Sequence, residues 1–139
     1  MKEILRGFVI AFLVLLTVGQ ALAYESPQPK LIAVFFSASW CPSCKILTPE
    51  LDAARSKGAL DSKDILFVTL DLSDKASIHQ SILLASALGI LPFVQKQGSS
   101  TGYVAVLAAD KSTELARFDR TTKAEAIVQR LENLAPLKK

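Results

Sequence analysis

The feature that most constrains this chain is an apolar run that is followed, after a short turn, by two cysteines three positions apart. The run, residues 31–36, is typical of a strand that is buried on both faces of a sheet. From Cys44 to Ala54, apolar residues recur at helical spacing, and Gly58 follows as a stop signal. The sequence therefore predicts a strand, a turn that carries Cys41, and a helix that carries Cys44.

The remainder of the chain predicts further alternating elements. A helix over residues 75–88 has an apolar stripe and ends at Gly89. Residues 90–102 contain Pro92, Gly98 and two serines and are expected to be mostly loop. Strands are expected at residues 65–70, 103–107 and 113–118. A last helix is expected after Thr121, which is its predicted N-cap. The apolar stripes of the three helices are, in chain order, Cys44, Leu47, Leu51 and Ala54; Ile78, Ile82, Leu83 and Ala87; and Ala124, Ile127, Val128 and Leu131.

This order of elements, β-α-β-α-β-β-α, begins with a βαβ unit and continues with a hairpin. It implies an α/β fold in three layers, α/β/α, with a mixed central sheet of about four strands between helices. The length of 139 residues suits one core, and we expect a single domain over residues 31–135.

The first residues have the three parts of a secretory signal peptide. A basic start, with Lys2 and Arg6, precedes an apolar run over residues 8–18, and Ala21 and Ala23 are the small residues of a cleavage site. We expect cleavage after Ala23, so that the protein is periplasmic or secreted.

An uncleaved membrane anchor is the alternative interpretation of this segment. A spanning helix needs about 20 apolar residues, and the run approaches that length only if Gly19 and Gln20 are included. Cleavage is therefore favoured, and residues 1–23 form the signal peptide and residues 24–30 a linker.

The cysteine spacing indicates a reversible dithiol rather than a purely structural disulfide. In an exported chain a disulfide is the default, but a bridge between Cys41 and Cys44 closes a loop too short to constrain the unfolded chain much. The thiolate is the form that attacks disulfides. At the start of a helix, unpaired N–H groups and the helix dipole are expected to lower the pKa of Cys41.

The two cysteines are expected to have different roles. Cys41 is predicted to be the exposed nucleophile, and Cys44, one turn further in, the buried thiol that resolves the mixed disulfide. Pro42 suits the first helical turn, because a backbone N–H at that position has no partner within the helix and its absence costs no hydrogen bond. Trp40 and Ser43 are expected to line the substrate groove beside the cysteines, with Trp40 as an apolar lip.

Other classes of site have little support. A structural zinc site needs about four ligands, and His79 is the single histidine beside the two cysteines. We expect no metal site and no cofactor. The formal charge of +3 is not concentrated in a block of lysines and arginines, which argues against nucleic-acid binding.

The segment from Val34 to Leu51, VFFSASWCPSCKILTPEL, resembles the active-site strand and helix of thioredoxin-like proteins. The resemblance includes the strand, Trp40 before the first cysteine, Lys45 after the second, and Pro49 eight residues beyond Cys41. It extends to about residue 133 but lacks the β-α lead-in of full-length thioredoxins. It implies a thioredoxin-like fold and thiol–disulfide oxidoreductase activity.

This sequence departs from the family pattern in three respects. Phe35 stands where thioredoxins have a buried acid on the active-site strand, and Thr69 replaces the lysine that faces it. The family also has a cis-proline before the next strand, opposite the cysteines. Pro92 is one candidate for that position, but the better strand, which starts at residue 103, favours Thr101 and Gly102 instead.

The leading hypothesis is an envelope enzyme that exchanges disulfides with other exported proteins, in a direction that the sequence leaves open. A reductase would need an electron donor, such as a membrane-bound redox partner. One alternative is a binding or assembly module that uses the fold without turnover, and another is a metal chaperone that uses both thiolates. We expect a monomer.

Overall fold

The computed structural model describes residues 28–135, so the predicted signal peptide and residues 24–27 of the linker lie outside it. No helix within these residues is long and apolar enough to cross a membrane. The strands are β1 (Leu31–Ser37), β2 (Ile65–Asp71), β3 (Tyr103–Ala108) and β4 (Glu114–Asp119), and the helices are α1 (Pro42–Ser56), α2 (Lys75–Leu88), α3 (Leu91–Gln97) and α4 (Ala124–Leu134).

The four strands form one mixed sheet in the order β2-β1-β3-β4. β1 and β2 are parallel and are joined through α1, while β3 pairs antiparallel with both β1 and β4. The predicted βαβ unit, hairpin and mixed four-stranded sheet are thereby confirmed.

Helices cover both faces of the sheet, which explains the wholly apolar character of β1. Alternate residues of a strand point to opposite faces, and all six residues from Leu31 to Phe36 are buried. One core cluster contains Ala33 and Phe35 with buried residues of α1 and α4. The other contains Val34 and Phe36 with buried residues of α2 and α3.

The predicted loop over residues 90–102 is wrong in its first half, which forms α3. Pro92 lies in the first turn of this helix, where a proline loses no hydrogen bond. Phe93 is buried at 8% exposure, and its ring lies 6.5 Å from that of Phe36. Burial of this side chain against the sheet stabilises a short helix that local composition does not favour.

The apolar stripe predicted for α2 is also wrong. The residues that this helix buries are Ser81 and Ala85, whereas Ile78, Ile82 and Leu83 are exposed. Small side chains let the helix approach the sheet closely, and the Ser81 hydroxyl donates a hydrogen bond of 2.9 Å to the backbone oxygen of Asp71. The buried polar group is therefore satisfied.

The predicted cap of the last helix is displaced by two residues. Lys123, not Thr121, stands at the N-cap, because the Thr121 hydroxyl donates to Asp119 instead. Glu50 of α1 accepts from the backbone N–H of Ala124 at 2.9 Å and pairs with Lys123. These two bonds lower the pKa of Glu50, with the Lys123 side chain as the larger cause.

Candidate active site

The two cysteines lie where β1 gives way to α1. Cys41 is the N-cap of the helix, and its Sγ accepts a hydrogen bond of 3.1 Å from the backbone N–H of Cys44. Pro42 lies in the first turn. The expected strand-to-helix junction is therefore present, and an N–H group at this position stabilises negative charge on the Cys41 sulfur when the bridge is reduced.

Cys41 and Cys44 form a disulfide, with their Cα atoms 5.3 Å apart. Both residues are buried, at 3% and 4% exposure. In this oxidised form the expectation of an exposed Cys41 is wrong, because Gly102 packs over its sulfur. Exposure does not distinguish the nucleophile from the resolving thiol here. The two cysteines differ instead in thiolate stability, because only Cys41 Sγ accepts the hydrogen bond from the Cys44 N–H.

Gly102 lies directly against the disulfide, and a Cβ atom at this position would lie 3.3 Å from Cys41 Sγ and 2.6 Å from Ser43 Cβ. Its φ is +91°, a value that favours glycine. Its N–H donates to the backbone oxygen of Phe36 at 2.8 Å, which ties this segment to the end of β1. Only a residue without a side chain fits this close approach.

The structure separates the two candidates for the position opposite the cysteines. Thr101 and Gly102 lead directly into β3, and Gly102 contacts the active-site segment. Pro92 lies in α3, whose Phe93 belongs to the core cluster on the sheet face opposite that of the cysteines. Of the proposed groove residues, the structure brings Ser43 and Gly102 to the disulfide and leaves Pro92 on the other face.

Trp40, which directly precedes Cys41, is 58% exposed. Its indole N–H donates to the backbone oxygen of Ser73 at 3.3 Å. The Ser73 hydroxyl accepts from the backbone N–H of Ser39 at 2.7 Å and donates to Asp71, which also accepts from the Ser73 backbone N–H. The loop after β2 thus holds the turn that precedes Cys41.

Sequence reasoning missed Ser73, because it lies 34 residues from Ser39 and belongs to no motif. The parallel pairing of β1 with β2 offered an indirect signal. Since the carboxyl ends of parallel neighbours lie at the same edge of a sheet, the loop after β2 must lie near the active-site turn.

Replacement of Ser73 by alanine should loosen this turn. The substitution removes the acceptor for the Ser39 N–H while Trp40 keeps its backbone acceptor, and one hydrogen bond contributes about 1 kcal/mol. We expect roughly fivefold slower disulfide exchange and lower Trp40 fluorescence anisotropy. Ser73→Thr, which keeps the hydroxyl, should restore both values.

Ser56→Ala is the matched control for Ser73→Ala, because that hydroxyl donates to Asp52 at the far end of α1. It should leave exchange and anisotropy unchanged. Equal effects of the two alanine variants would contradict a specific role for Ser73.

Phe35 is buried at 6% exposure in the same core cluster as both cysteines. It pairs in register with Thr69 of β2, which is exposed. Cys44 Sγ lies 3.8 Å from the backbone oxygen of Phe36. At the position where the family resemblance implies an acid, the buried surroundings of Cys44 therefore contain an aromatic ring.

Tyr103, the residue after Gly102, belongs to a second group of interactions on the other sheet face. Its ring stacks on Phe36, and its hydroxyl donates to Gln97 at 3.2 Å. Burial raises the pKa of the Tyr103 phenol, and the charge of Arg117 acts in the opposite direction. Arg117 lies 4.2 Å above the ring, so this group fixes the start of β3 beside the site.

No group of three or more potential metal ligands of the histidine, cysteine or acidic type is gathered within residues 28–135. His79 is exposed on α2.

Comparison with known proteins places this site in a family. The family model described as thioredoxin matches residues 20–118, which is well over half of the chain. The chain belongs to the thioredoxin family.

Relatives and solved structures agree with this membership. The thioredoxin of Echinococcus granulosus is 30% identical over 86 residues, which is 62% of this chain and 75% of that protein. Human nucleoredoxin is 37% identical over 70 residues, 49% of this chain but 16% of the longer protein. The crystal structure of StoA from Bacillus subtilis, at 16% identity, has a TM-score of 0.50 over 74% of this chain and 83% of that one, which supports the fold.

Family membership and the Cys41–Cys44 disulfide together are consistent with thiol–disulfide exchange. The thioredoxin-family match also includes β1, α1 and β2, the elements that position the cysteines.

Proposed function

We propose that this chain is an exported thiol–disulfide oxidoreductase that exchanges disulfides with other exported proteins through Cys41 and Cys44. The observation that carries the proposal is the disulfide at the start of α1, with the Cys44 N–H directed at Cys41 Sγ. A structural bridge over so short a loop would add little stability. A redox-active pair explains its place at a helix N-terminus.

In the reducing direction, the Cys41 thiolate attacks one sulfur of a substrate disulfide. A mixed disulfide forms, and the other substrate sulfur leaves as a thiolate that takes up a proton. Cys44 loses its proton and attacks Cys41 Sγ, which releases the second substrate thiol. Two electrons pass from the pair to the substrate, and the Cys41–Cys44 bridge returns to the form seen here.

In the oxidising direction the same steps run backwards, and the pair accepts two electrons from a substrate dithiol. In either direction Cys44 must exchange a proton. Phe35 can neither accept nor donate a proton, so we propose that water takes the Cys44 proton in the reducing direction and returns it in the oxidising direction. The resolving step is accordingly slower than one assisted by a buried carboxylate.

Export is the part of the proposal that rests on sequence. The basic start, the apolar run over residues 8–18 and the small residues at Ala21 and Ala23 support it. In an oxidising compartment a reductant must be supplied from outside, and a membrane-bound redox partner is the donor class that we propose. N-terminal sequencing of protein recovered from a bacterial periplasm should begin at Tyr24, and an intact leader would argue for an anchor instead.

The redox potential of the pair tests the proposed activity and assigns its direction. Trp40 fluorescence can follow a titration against glutathione, because Trp40 directly precedes Cys41 and its side chain is exposed. A potential near about −120 mV indicates an oxidant and one near about −270 mV a reductant. If the pair shows no reversible transition, the oxidoreductase proposal fails.

A binding module without turnover is the second candidate, and the burial of Cys41 at 3% exposure is the observation that favours it. Such a module would bind protein partners equally well in oxidised and reduced states. Measured insulin reduction or oxidative refolding distinguishes the two, since a module catalyses neither reaction.

A further inference from the structure

The active-site helix α1 carries apolar side chains on its solvent face as well as on its core face. The core face consists of the buried residues Cys44, Leu47, Leu51 and Ala54. Four further apolar residues follow one another at positions i, i+4, i+7 and i+11, and all four are exposed. At about 100° per residue they share one face, nearly opposite the buried one. We call these four residues, Pro42, Ile46, Pro49 and Ala53, the outer α1 stripe.

Ile46 is the member of this stripe that helix chemistry explains least. Pro42 suits the first turn of a helix, and Ala53 has the side chain with the highest helix propensity. A β-branched side chain such as that of Ile46 has a lower helix propensity. Its side chain is 51% exposed, so it gains little from burial within this chain. The place of Ile46 on the solvent face therefore points to a partner.

The outer α1 stripe begins at the redox pair and has a polar border. Pro42 lies between Cys41 and Cys44 in the sequence, so a protein whose disulfide contacts Cys41 also reaches the start of the stripe. Lys45 and Asp52 are exposed along one side of it. An exposed apolar surface with a polar rim is typical of a site that binds another protein.

The length of the stripe fits an extended polypeptide segment. From Pro42 to Ala53 the helix rises roughly 16 Å, which corresponds to about five residues of extended chain. Trp40, which is 58% exposed, adds an apolar side chain directly before Cys41. A segment that carries a reacting cysteine can therefore meet apolar groups of this chain beyond the disulfide itself.

We infer that the outer α1 stripe binds apolar residues that flank the reacting cysteine of a substrate protein, with Ile46 as the residue that determines this preference. The inference rests on the exchange activity proposed above and adds a substrate class, namely exposed apolar segments of incompletely folded proteins. In the reducing direction the dithiol passes two electrons to the substrate disulfide, which becomes two thiols, and the Cys41–Cys44 bridge forms again. The stripe takes no part in these bond changes and acts through binding alone.

Two synthetic peptide disulfides and glutathione disulfide are the probes that test the inference. Each peptide disulfide joins two identical peptides with a central cysteine, which is flanked on each side by about five residues. The flanks are leucine and alanine in one peptide and serine in the other, with terminal lysines for solubility. The reduced chain, both at full length and beginning at Tyr24, is mixed with each probe, and Trp40 fluorescence gives the second-order rate constant. We expect the apolar peptide to react about tenfold faster than the serine peptide.

Ile46→Gln should reduce this ratio of the two peptide rates to about twofold, because it replaces the apolar contact by a polar one. The redox potential and the rate with glutathione disulfide should not change. Leu83→Gln is the matched control, because Leu83 is 57% exposed on α2, which packs on the sheet face opposite that of the cysteines. It should keep the tenfold ratio. Ala53→Gln, at the far end of the stripe, should reduce the ratio by about half.

The three probes separate failure of this inference from failure of the proposed function. A chain that reacts with all three disulfides but shows no preference, or whose preference Ile46→Gln leaves intact, would overturn the inference while exchange activity stands. A chain that reacts with none of them would remove the proposed function as well. A dimer that Ile46→Gln dissociates, measured by sedimentation equilibrium, would assign the stripe to a second copy of this chain and also overturn the inference.

Discussion

Cys41→Ser is expected to abolish disulfide exchange, with a loss of at least about a thousandfold in rate, because the attacking group is removed. Cys44→Ser should behave differently. It keeps the nucleophile and loses only the group that resolves the mixed disulfide. Incubated with a substrate disulfide, Cys44→Ser should accumulate a covalent complex that reductant dissolves.

The contrast between the two serine variants is the decisive measurement. Cys41 and Cys44 are almost equally buried, so accessibility alone predicts no difference between them. The hydrogen bond from the Cys44 N–H stabilises a thiolate at Cys41 alone. Trapping by Cys41→Ser instead, seen as a mass shift on a non-reducing gel, would reverse the assigned roles.

Gly102→Ala is expected to reduce both stability and exchange rate. The left-handed backbone costs an alanine about 1–2 kcal/mol. Contact of its Cβ with Ser43 adds about 1–3 kcal/mol of overpacking. Since the displaced atoms adjoin the Cys41 sulfur, the redox potential should shift together with the melting temperature.

Gly58→Ala separates these two costs. Gly58 also has a positive φ, +78°, but no atom lies within 4 Å of the Cβ position. This control should show the backbone cost alone and an unchanged redox potential. If Gly102→Ala proves no more destabilising than Gly58→Ala and leaves the redox potential unchanged, the close approach of Gly102 to the disulfide affects neither stability nor redox chemistry.

Local patterns were sufficient to predict most of the architecture. The apolar run at residues 31–36, the helical spacing from Cys44 to Ala54 and the cysteines between them depend on contacts close in sequence or on simple burial. Glycines at helix ends are equally local, and Gly89 does end α2 in a left-handed conformation. The βαβ unit and the hairpin followed from these elements.

Helix details were predicted less well where packing outweighed composition. In α2 the isoleucines suggested the buried face, but the helix approaches the sheet through Ser81 and Ala85. In α3 the helix exists because Phe93 is buried against Phe36, a contact between residues 57 positions apart in the numbering. A short helix with little intrinsic stability depends on such contacts.

The sequence by itself determined the family resemblance, the position of the redox pair and the departure at Phe35, because residue identities and short spacings carry this information. Only the tertiary structure decided that Gly102 lies against Cys41 and that Ser73 holds the turn before it. Each of these is a contact between segments far apart along the chain. Such relations depend on how the layers pack, which periodicity and spacing do not encode.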